Sequence, residues 1–82
     1  MVNKLMLFNI VKTIKEKINA NIFIATNEKG EIKLHIIHKK SNHYNYILVL
    51  NGILNKYSSL EEIVNVIMND YNTKKFQYMF SL

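Results

Sequence analysis

The chain has 82 residues and a formal net charge of +5, with eleven Lys but no Arg, Cys, Trp or Pro. This length indicates one domain, residues 1–82, with a small core. The missing Cys excludes a disulfide scaffold and thiolate chemistry. The missing Arg removes the side chain that reads phosphates and guanine edges with two donors at once.

The positive charge has two explanations. Lys, Asn and Ile make up 35 of the 82 residues. All three have A/T-rich codons, so an A/T-biased genome alone would produce many Lys residues. The positive charge therefore does not by itself indicate nucleic-acid binding. No apolar run is long enough to span a bilayer, and Asn9 and Lys12 interrupt the apolar N-terminal stretch. We therefore expect a cytoplasmic protein that makes no membrane contact.

Helical periodicity of the apolar residues predicts an amphipathic helix over residues 4–18. Asn3 precedes it and suits an N-cap, because its side-chain oxygen can accept a free N–H of the first turn. The apolar stripe consists of Met6, Leu7, Ile10, Val11, Ile14 and Ile18.

Three strands are predicted next, over residues 21–26, 31–39 and 44–50, because these runs are rich in β-branched and aromatic residues. Turns containing Gly30 and residues 40–43 separate them, so we expect a three-stranded antiparallel meander. Asn51 and Gly52 break the third strand. The next residues, 53–57, fit either a short continuation after a bulge or a loop packed on the core.

A second helix is predicted from the capping-box spacing of Ser58 with Glu61, or of Ser59 with Glu62. In this motif the hydroxyl and the carboxylate satisfy free N–H groups of the first turn. Apolar residues at helical spacing continue to Tyr71, where we expect the helix to end.

A short terminal strand is predicted after a loop at residues 72–75, because Phe76, Tyr78 and Phe80 alternate with other residues. The predicted order is α-β-β-β-α-β. Two amphipathic helices need a cover, so the fold class is α+β, with an antiparallel sheet covered on one face by two helices.

The other face of this sheet is predicted to be half apolar. If Ile32, Leu34 and Ile36 face the helices, the pleat turns the alternate residues outward. An exposed sheet face normally carries polar residues. Apolar ones reflect either ordinary β-propensity or a surface that a partner covers. The predicted partner-binding residues are Phe23, Lys33, His35, Ile37, Lys39, Ile47 and Val49.

The usual catalytic and metal-binding constellations are missing from the sequence. His35 and His38 are three apart on a predicted strand and point to opposite faces, so without a bulge they cannot share a metal ion. Glu61 and Glu62 diverge on a helix and are explained by capping. We therefore expect no enzyme activity, no metal site and no cofactor.

Two clusters of Lys and aromatic residues suggest an alternative function, a weakly specific module that binds RNA or single-stranded DNA. Lys can follow a phosphate chain while aromatic rings stack on bases. The competing interpretation is that the Lys residues are solvated and the rings fill the core. The residues of this alternative are Lys39, Lys40, Tyr44, Lys74 and Lys75.

The α-β-β-β-α order over residues 4–71 resembles that of the double-stranded-RNA-binding domain. That family opens its second helix with a Lys-rich turn that grips phosphates. Here Glu61 and Glu62 occupy this position and repel phosphate, so no residue role is carried over. The order and size also resemble those of some small phage-encoded inhibitors of CRISPR effectors, although no motif is shared.

The predicted function is that of a non-catalytic interaction protein from a phage, plasmid or other mobile element. It binds and blocks a larger protein or nucleoprotein, and an anti-CRISPR-type inhibitor is the most specific form of this prediction. The nucleic-acid module is the alternative. A homodimer joined through sheet faces or edges is a third prediction, and the predicted aromatic strand at the chain end offers one route, because such a strand can pair with the edge of a neighbouring chain.

Overall fold

The computed structural model describes residues 3–38 and 45–81, and for residues 79–81 it describes the helical backbone only. This part of the chain confirms an α+β domain, with the order α-β-β-β-α-α. The elements are α1 (Lys4–Lys17), β1 (Asn21–Thr26), β2 (Ile32–Ile37), β3 (Asn45–Val49), α2 (Asn51–Lys56) and α3 (Leu60–Ser81).

Helix α1 begins at the predicted cap. The side-chain Oδ1 of Asn3 accepts the backbone N–H of Leu5 at 2.8 Å, which satisfies one free donor of the first turn. Ile10 and Ile14 on the predicted stripe are fully buried. The helix ends at Lys17, and the N–H of Ile18 still donates to the carbonyl of Ile14.

The three strands form an antiparallel meander in the order β1-β2-β3, as predicted. The turn between β1 and β2 is organised by Asn27, whose Oδ1 accepts the N–H groups of Lys29 and Glu31, each at 3.0 Å. Gly30 completes this turn with φ 79°, a backbone conformation that residues with a Cβ rarely adopt.

Helix α2 corrects the prediction for the segment after β3. The sequence indicated a break at Asn51 and Gly52, followed by a bulge or a loop, whereas residues 51–56 form a short helix. The chain turns at buried Leu50, whose φ of −89° and ψ of −14° are already helical. Ile53 and Leu54 then pack against the core, which stabilises the helical conformation.

Helix α3 begins with the Ser59 and Glu62 version of the capping box. Ser59 Oγ accepts the N–H of Glu62 at 3.1 Å and donates to its carboxylate at 3.0 Å. Of the two predicted pairings, these hydrogen bonds select Ser59 with Glu62 over Ser58 with Glu61.

The predicted loop at residues 72–75 and the predicted terminal strand at 76–80 are wrong, because α3 continues to Ser81. No Gly or Pro interrupts this stretch. Tyr71 and Tyr78 are seven residues apart, so two helical turns place both against the core. An ion pair between Lys74 Nζ and Asp70 Oδ2 at 3.3 Å spans one turn across the predicted helix end.

The core lies between one face of the sheet and the helices, as predicted. The inner residues of the strands meet the apolar faces of α1 and α3, and Leu50 belongs to the same buried cluster. The buried residues are Ile10, Ile14, Ile22, Ile32, Leu34, Ile36, Tyr46, Leu50, Ile63, Val64, Ile67 and Tyr71. The opposite face of the sheet is left without a helix from the described part of the chain.

Candidate interaction face

The side of the sheet away from the core, here called the outer face, is a grid of three residues from each strand. The strand register aligns these residues in three rows across the sheet. The rows are Asn21, Ile37 and Asn45; Phe23, His35 and Ile47; and Ala25, Lys33 and Val49. Six of the seven residues predicted to bind a partner therefore lie together, and the seventh, Lys39, lies outside the described residues.

The outer face exposes large apolar side chains. Ile47 is 53% exposed, Val49 is 41% exposed and Phe23 is 38% exposed, while Ile37 is half-buried. Two adjacent rows of the grid contribute Phe23, Ile47 and Val49, so these side chains belong to one surface rather than to scattered positions. Exposed apolar side chains grouped on one surface make the outer face a candidate interaction site.

Phe23 and His35 form the centre of the outer face. They are direct cross-strand partners, and their rings stack with centroids 4.6 Å apart and planes 5° from parallel. On the other side of His35, Ile47 completes the row. Cross-strand contacts of this kind fix the side-chain positions at the centre of the outer face.

The outer face carries positive charge and is small. Its nine residues include one cationic side chain, Lys33, and no carboxylate. The grid spans three strands about 4.8 Å apart and about five residues along each strand, which gives it an area of roughly 240 Å². A partner matching it needs an apolar centre and an acidic or neutral fringe.

A cluster of polar groups joins β3 to α3 on the inner side of the sheet. The hydroxyl of Tyr46 donates to Asp70 Oδ2 at 2.5 Å, and the same carboxylate pairs with Lys74. The rings of Tyr46 and Tyr71 meet edge to face, with centroids 5.3 Å apart. These contacts fix α3 on the sheet, which is a structural role.

His38, at the end of β2, extends this cluster. Its Nε2 is hydrogen-bonded to the Tyr71 hydroxyl at 2.5 Å. Burial lowers the pKa of His38 below its ordinary value of 6.5, and the Lys75 ammonium lowers it further. The imidazole is therefore neutral at pH 7. Because Tyr71 is buried, its hydroxyl gives a substrate no direct approach.

The residues of the nucleic-acid alternative are only partly described. Lys74 is engaged with Asp70, and Lys75 Nζ lies 5.8 Å from the centroid of the buried Tyr71 ring. A buried ring cannot stack on a base. Lys39, Lys40 and Tyr44 lie outside the described residues, so the alternative stays a prediction.

Sequence reasoning missed an exposed apolar pair on α1. Leu5 and Phe8 are largely exposed, and Phe8 borders an open groove of about 430 Å³ with Val11 and the stems of Lys12 and Lys15. Both residues lie outside the predicted apolar stripe of α1. Their i, i+3 spacing was the available signal, although two exposed apolar residues are common on protein surfaces.

No group of three or more potential metal ligands occurs among residues 3–38 and 45–81. Within the same residues, no helix combines the length and the apolar character that crossing a bilayer requires. No protein-family model matches the chain, and neither a curated protein nor a solved structure shows detectable similarity to it.

Proposed function

We propose that this protein is a non-catalytic interaction protein that binds and blocks a larger protein through the outer face. The observation that carries this proposal is the contiguous apolar surface on a sheet face that no described helix covers. Phe23 and Ile47 are its anchors, because large exposed apolar side chains at the centre of a contact contribute most of the binding energy.

Charge supports an acidic protein surface as the partner. Lys33 lies among the apolar residues, and the nine residues of the outer face include no carboxylate to oppose it. A partner whose apolar contact region is rimmed by Asp or Glu would match both features. The net charge of +5 would speed the encounter with such a surface.

The small area of the outer face indicates that a stable contact must extend beyond it. A stable interface buries about 800 Å² on each side, whereas the outer face offers roughly 240 Å². The outer face therefore supplies the apolar centre of the contact. Neighbouring turns and strand ends must supply the polar rim, which requires a partner surface that extends past the sheet.

The proposal is tested with Ile37→Glu. A partner is first captured with the tagged chain, identified and purified. Calorimetry then measures the Kd of the complex between the chain and this partner. Because Ile37 lies on the outer face, the new carboxylate becomes buried without a partner in the complex, and binding should weaken at least about 100-fold. Circular dichroism checks that the variant is folded.

The matched control is Leu5→Glu, which places the same carboxylate on a largely exposed residue of α1. Its Kd should stay within about twofold of the original value. If Ile37→Glu binds as tightly as the unchanged chain, or if Leu5→Glu is equally damaging, the outer face is not the binding surface.

The nucleic-acid alternative predicts a different response to salt. A mobility-shift assay with single-stranded DNA and RNA at about 50 mM and about 200 mM salt separates the two, because phosphate binding weakens steeply as counterions are released. No shift at the lower salt concentration supports the proposal. A shift that salt removes, and that replacing Lys74 and Lys75 with Gln removes, supports the alternative.

The narrowest form of the proposal is a phage-encoded inhibitor of a CRISPR effector. It rests on the small size of the chain, its Lys, Asn and Ile bias and the resemblance in element order. Adding the unchanged chain in stoichiometric excess to purified effectors should stop cleavage of target DNA. Adding the Ile37→Glu variant should leave cleavage unchanged. Unchanged cleavage across the effector types would reject this form and leave the broader proposal to the calorimetric test.

A further inference from the structure

The outer edge of β3 is a second surface available for association. In the described sheet β3 pairs with β2 on one side only. The N–H of Leu50 donates to the carbonyl of Ile32 on the β2 side, at 2.7 Å. Backbone groups alternate in direction along a strand, so those of Tyr46 and Leu48 also point toward β2.

The backbone N–H and C=O groups of Asn45, Ile47 and Val49 therefore point away from β2. These residues also place their side chains on the outer face. The edge of β3 thus offers three N–H donors and three C=O acceptors beside Ile47 and Val49, the two most exposed apolar side chains of the outer face.

Strand β3 lacks the features that usually prevent edge pairing. Natural edge strands carry charged residues, Pro or bulges, whereas the sequence of β3 is NYILV and its pairing with β2 is regular. The one Lys of the outer face, Lys33, lies on the central strand instead. An uncharged and regular edge strand is suited to pairing with another strand.

We propose that β3 pairs with β3 of a second copy of this chain, antiparallel, about a two-fold axis at Ile47. This register overlaps all five residues of the strand and places Asn45 opposite Val49 of the other copy. Each outward backbone group then has a partner, which gives six hydrogen bonds between the copies. The result is a continuous six-stranded sheet.

The charges near β3 do not oppose this occupant. A residue at a two-fold axis meets its own copy, so a charged side chain there would repel itself, and Ile47 is uncharged. The nearest outer-face Lys is Lys33 on β2. Three strand spacings separate it from its symmetry mate, a distance of at least about 14 Å, which exceeds the screening length of about 8 Å at physiological salt.

The edge of β1 is the weaker choice. The N–H of Asn27 donates to the carbonyl of Glu31, so the outward backbone groups of β1 belong to Ile22, Ile24 and Thr26. The outer-face side chains beside that edge are Phe23, already stacked on His35, and the small Ala25. Pairing at β3 covers two exposed β-branched side chains, whereas pairing at β1 covers less apolar surface.

A contact between two five-residue edges is smaller than a standard interface, so the dimer should depend on concentration. Analytical ultracentrifugation of the chain alone, from about 10 µM to about 1 mM, should show the mass doubling over this range. A single-chain mass at every concentration overturns the proposal, and so does growth beyond two chains.

Two variants of Ile47 with opposite charges test the register of the proposed β3–β3 pairing. Ile47→Lys and Ile47→Asp should each remain single chains at about 1 mM, because like charges meet at the two-fold axis. Mixing the two variants should restore a dimer, since Lys then faces Asp. Circular dichroism checks that both variants are folded. Failure of the mixture to dimerise overturns the register.

The matched control is Phe23→Lys, which introduces the same charge on the same face but at the edge of β1. It should dimerise with a Kd within about threefold of the unchanged chain. Loss of the dimer in this variant would contradict pairing through β3. Because these measurements use the chain without any partner, their failure leaves the proposed function untouched.

Discussion

Asn51 joins the start of α2 to the turn between β1 and β2. Its Oδ1 accepts the N–H of Ile32 at 2.8 Å, and its Nδ2 donates to the carbonyl of Gly30 at 2.9 Å. Asn51→Ala removes both bonds. The N–H of buried Ile32 loses this partner, which costs about 1–3 kcal/mol, whereas water can replace the bond to exposed Gly30 at a cost of about 0.5 kcal/mol. We expect the free energy of unfolding to fall by about 1.5–3.5 kcal/mol, with the middle of this range at about 2.5 kcal/mol.

Urea unfolding followed by circular dichroism measures this change. The control is Asn55→Ala, an exposed position in the same helix, so the gain in helix propensity on introducing Ala is similar. Its effect should stay within about 0.5 kcal/mol. For a chain of this size the Asn51 variant should also melt about 10–20 °C lower. A loss below about 0.5 kcal/mol, or an equal loss in the control, would refute the reasoning.

Three further predictions concern the contacts that fix α3 and its start. Tyr46→Phe removes the hydroxyl that donates to Asp70, so urea unfolding should show a loss of about 1–2 kcal/mol, and an unchanged value would contradict that bond. The lowered pKa of His38 means that the unfolded chain binds more protons below pH 6.5, so the free energy of unfolding should fall as pH decreases from 6.5 through the folded-state pKa. His38→Gln should flatten this slope in pH-dependent urea titrations, and the same slope in both proteins would assign it to other groups. Ser59→Ala should cost about 1 kcal/mol and Ser58→Ala less than about 0.5 kcal/mol, and equal losses in thermal melts would reject the observed cap.

The orientation of the strand residues could be predicted from the sequence because a pleat has only two faces. Ile32, Leu34 and Ile36 alternate with less apolar residues along β2, and burying this set fixes which side of the strand faces the helices. In the predicted third strand the larger set of alternate residues, which includes Tyr46, Leu48 and Leu50, is the inward one. The sequence alone therefore places Phe23 and Ile47 on the outer face, where the strand register has them.

The C-terminal end of α3 could not be predicted, because five residues are too few to distinguish the two-residue period of a strand from the 3.6-residue period of a helix. The aromatic alternation at 76–80 fits a strand, but nothing in the preceding residues stops a helix. The decisive contact is Tyr78, which packs against the core two turns after Tyr71. That contact is tertiary, so a local pattern cannot contain it.

Helix α2 was missed for a related reason. An Asn-Gly pair is typical of a turn, and the segment is only six residues long. What favours helix here is nonlocal, since the side chain of Asn51 bonds residues 19 and 21 positions away and Leu50 is buried in the core. That Asn51 lies beside Ile32 follows only from the register of β2 and β3, which the sequence does not give.

Folding alone does not require the outer face to be apolar. β-branched residues suit a pleat, but Thr has the same branching as Ile and Val and would satisfy strand propensity at positions 47 and 49. Burying such a side chain completely contributes about 1.5–3 kcal/mol, and Ile47, at 53% exposed, leaves about half of that unrealised in the single chain. The unrealised part becomes stabilising only when something covers the side chain. Both proposals draw on this unrealised part, because a partner or a second copy that covered Ile47 and Val49 would gain it.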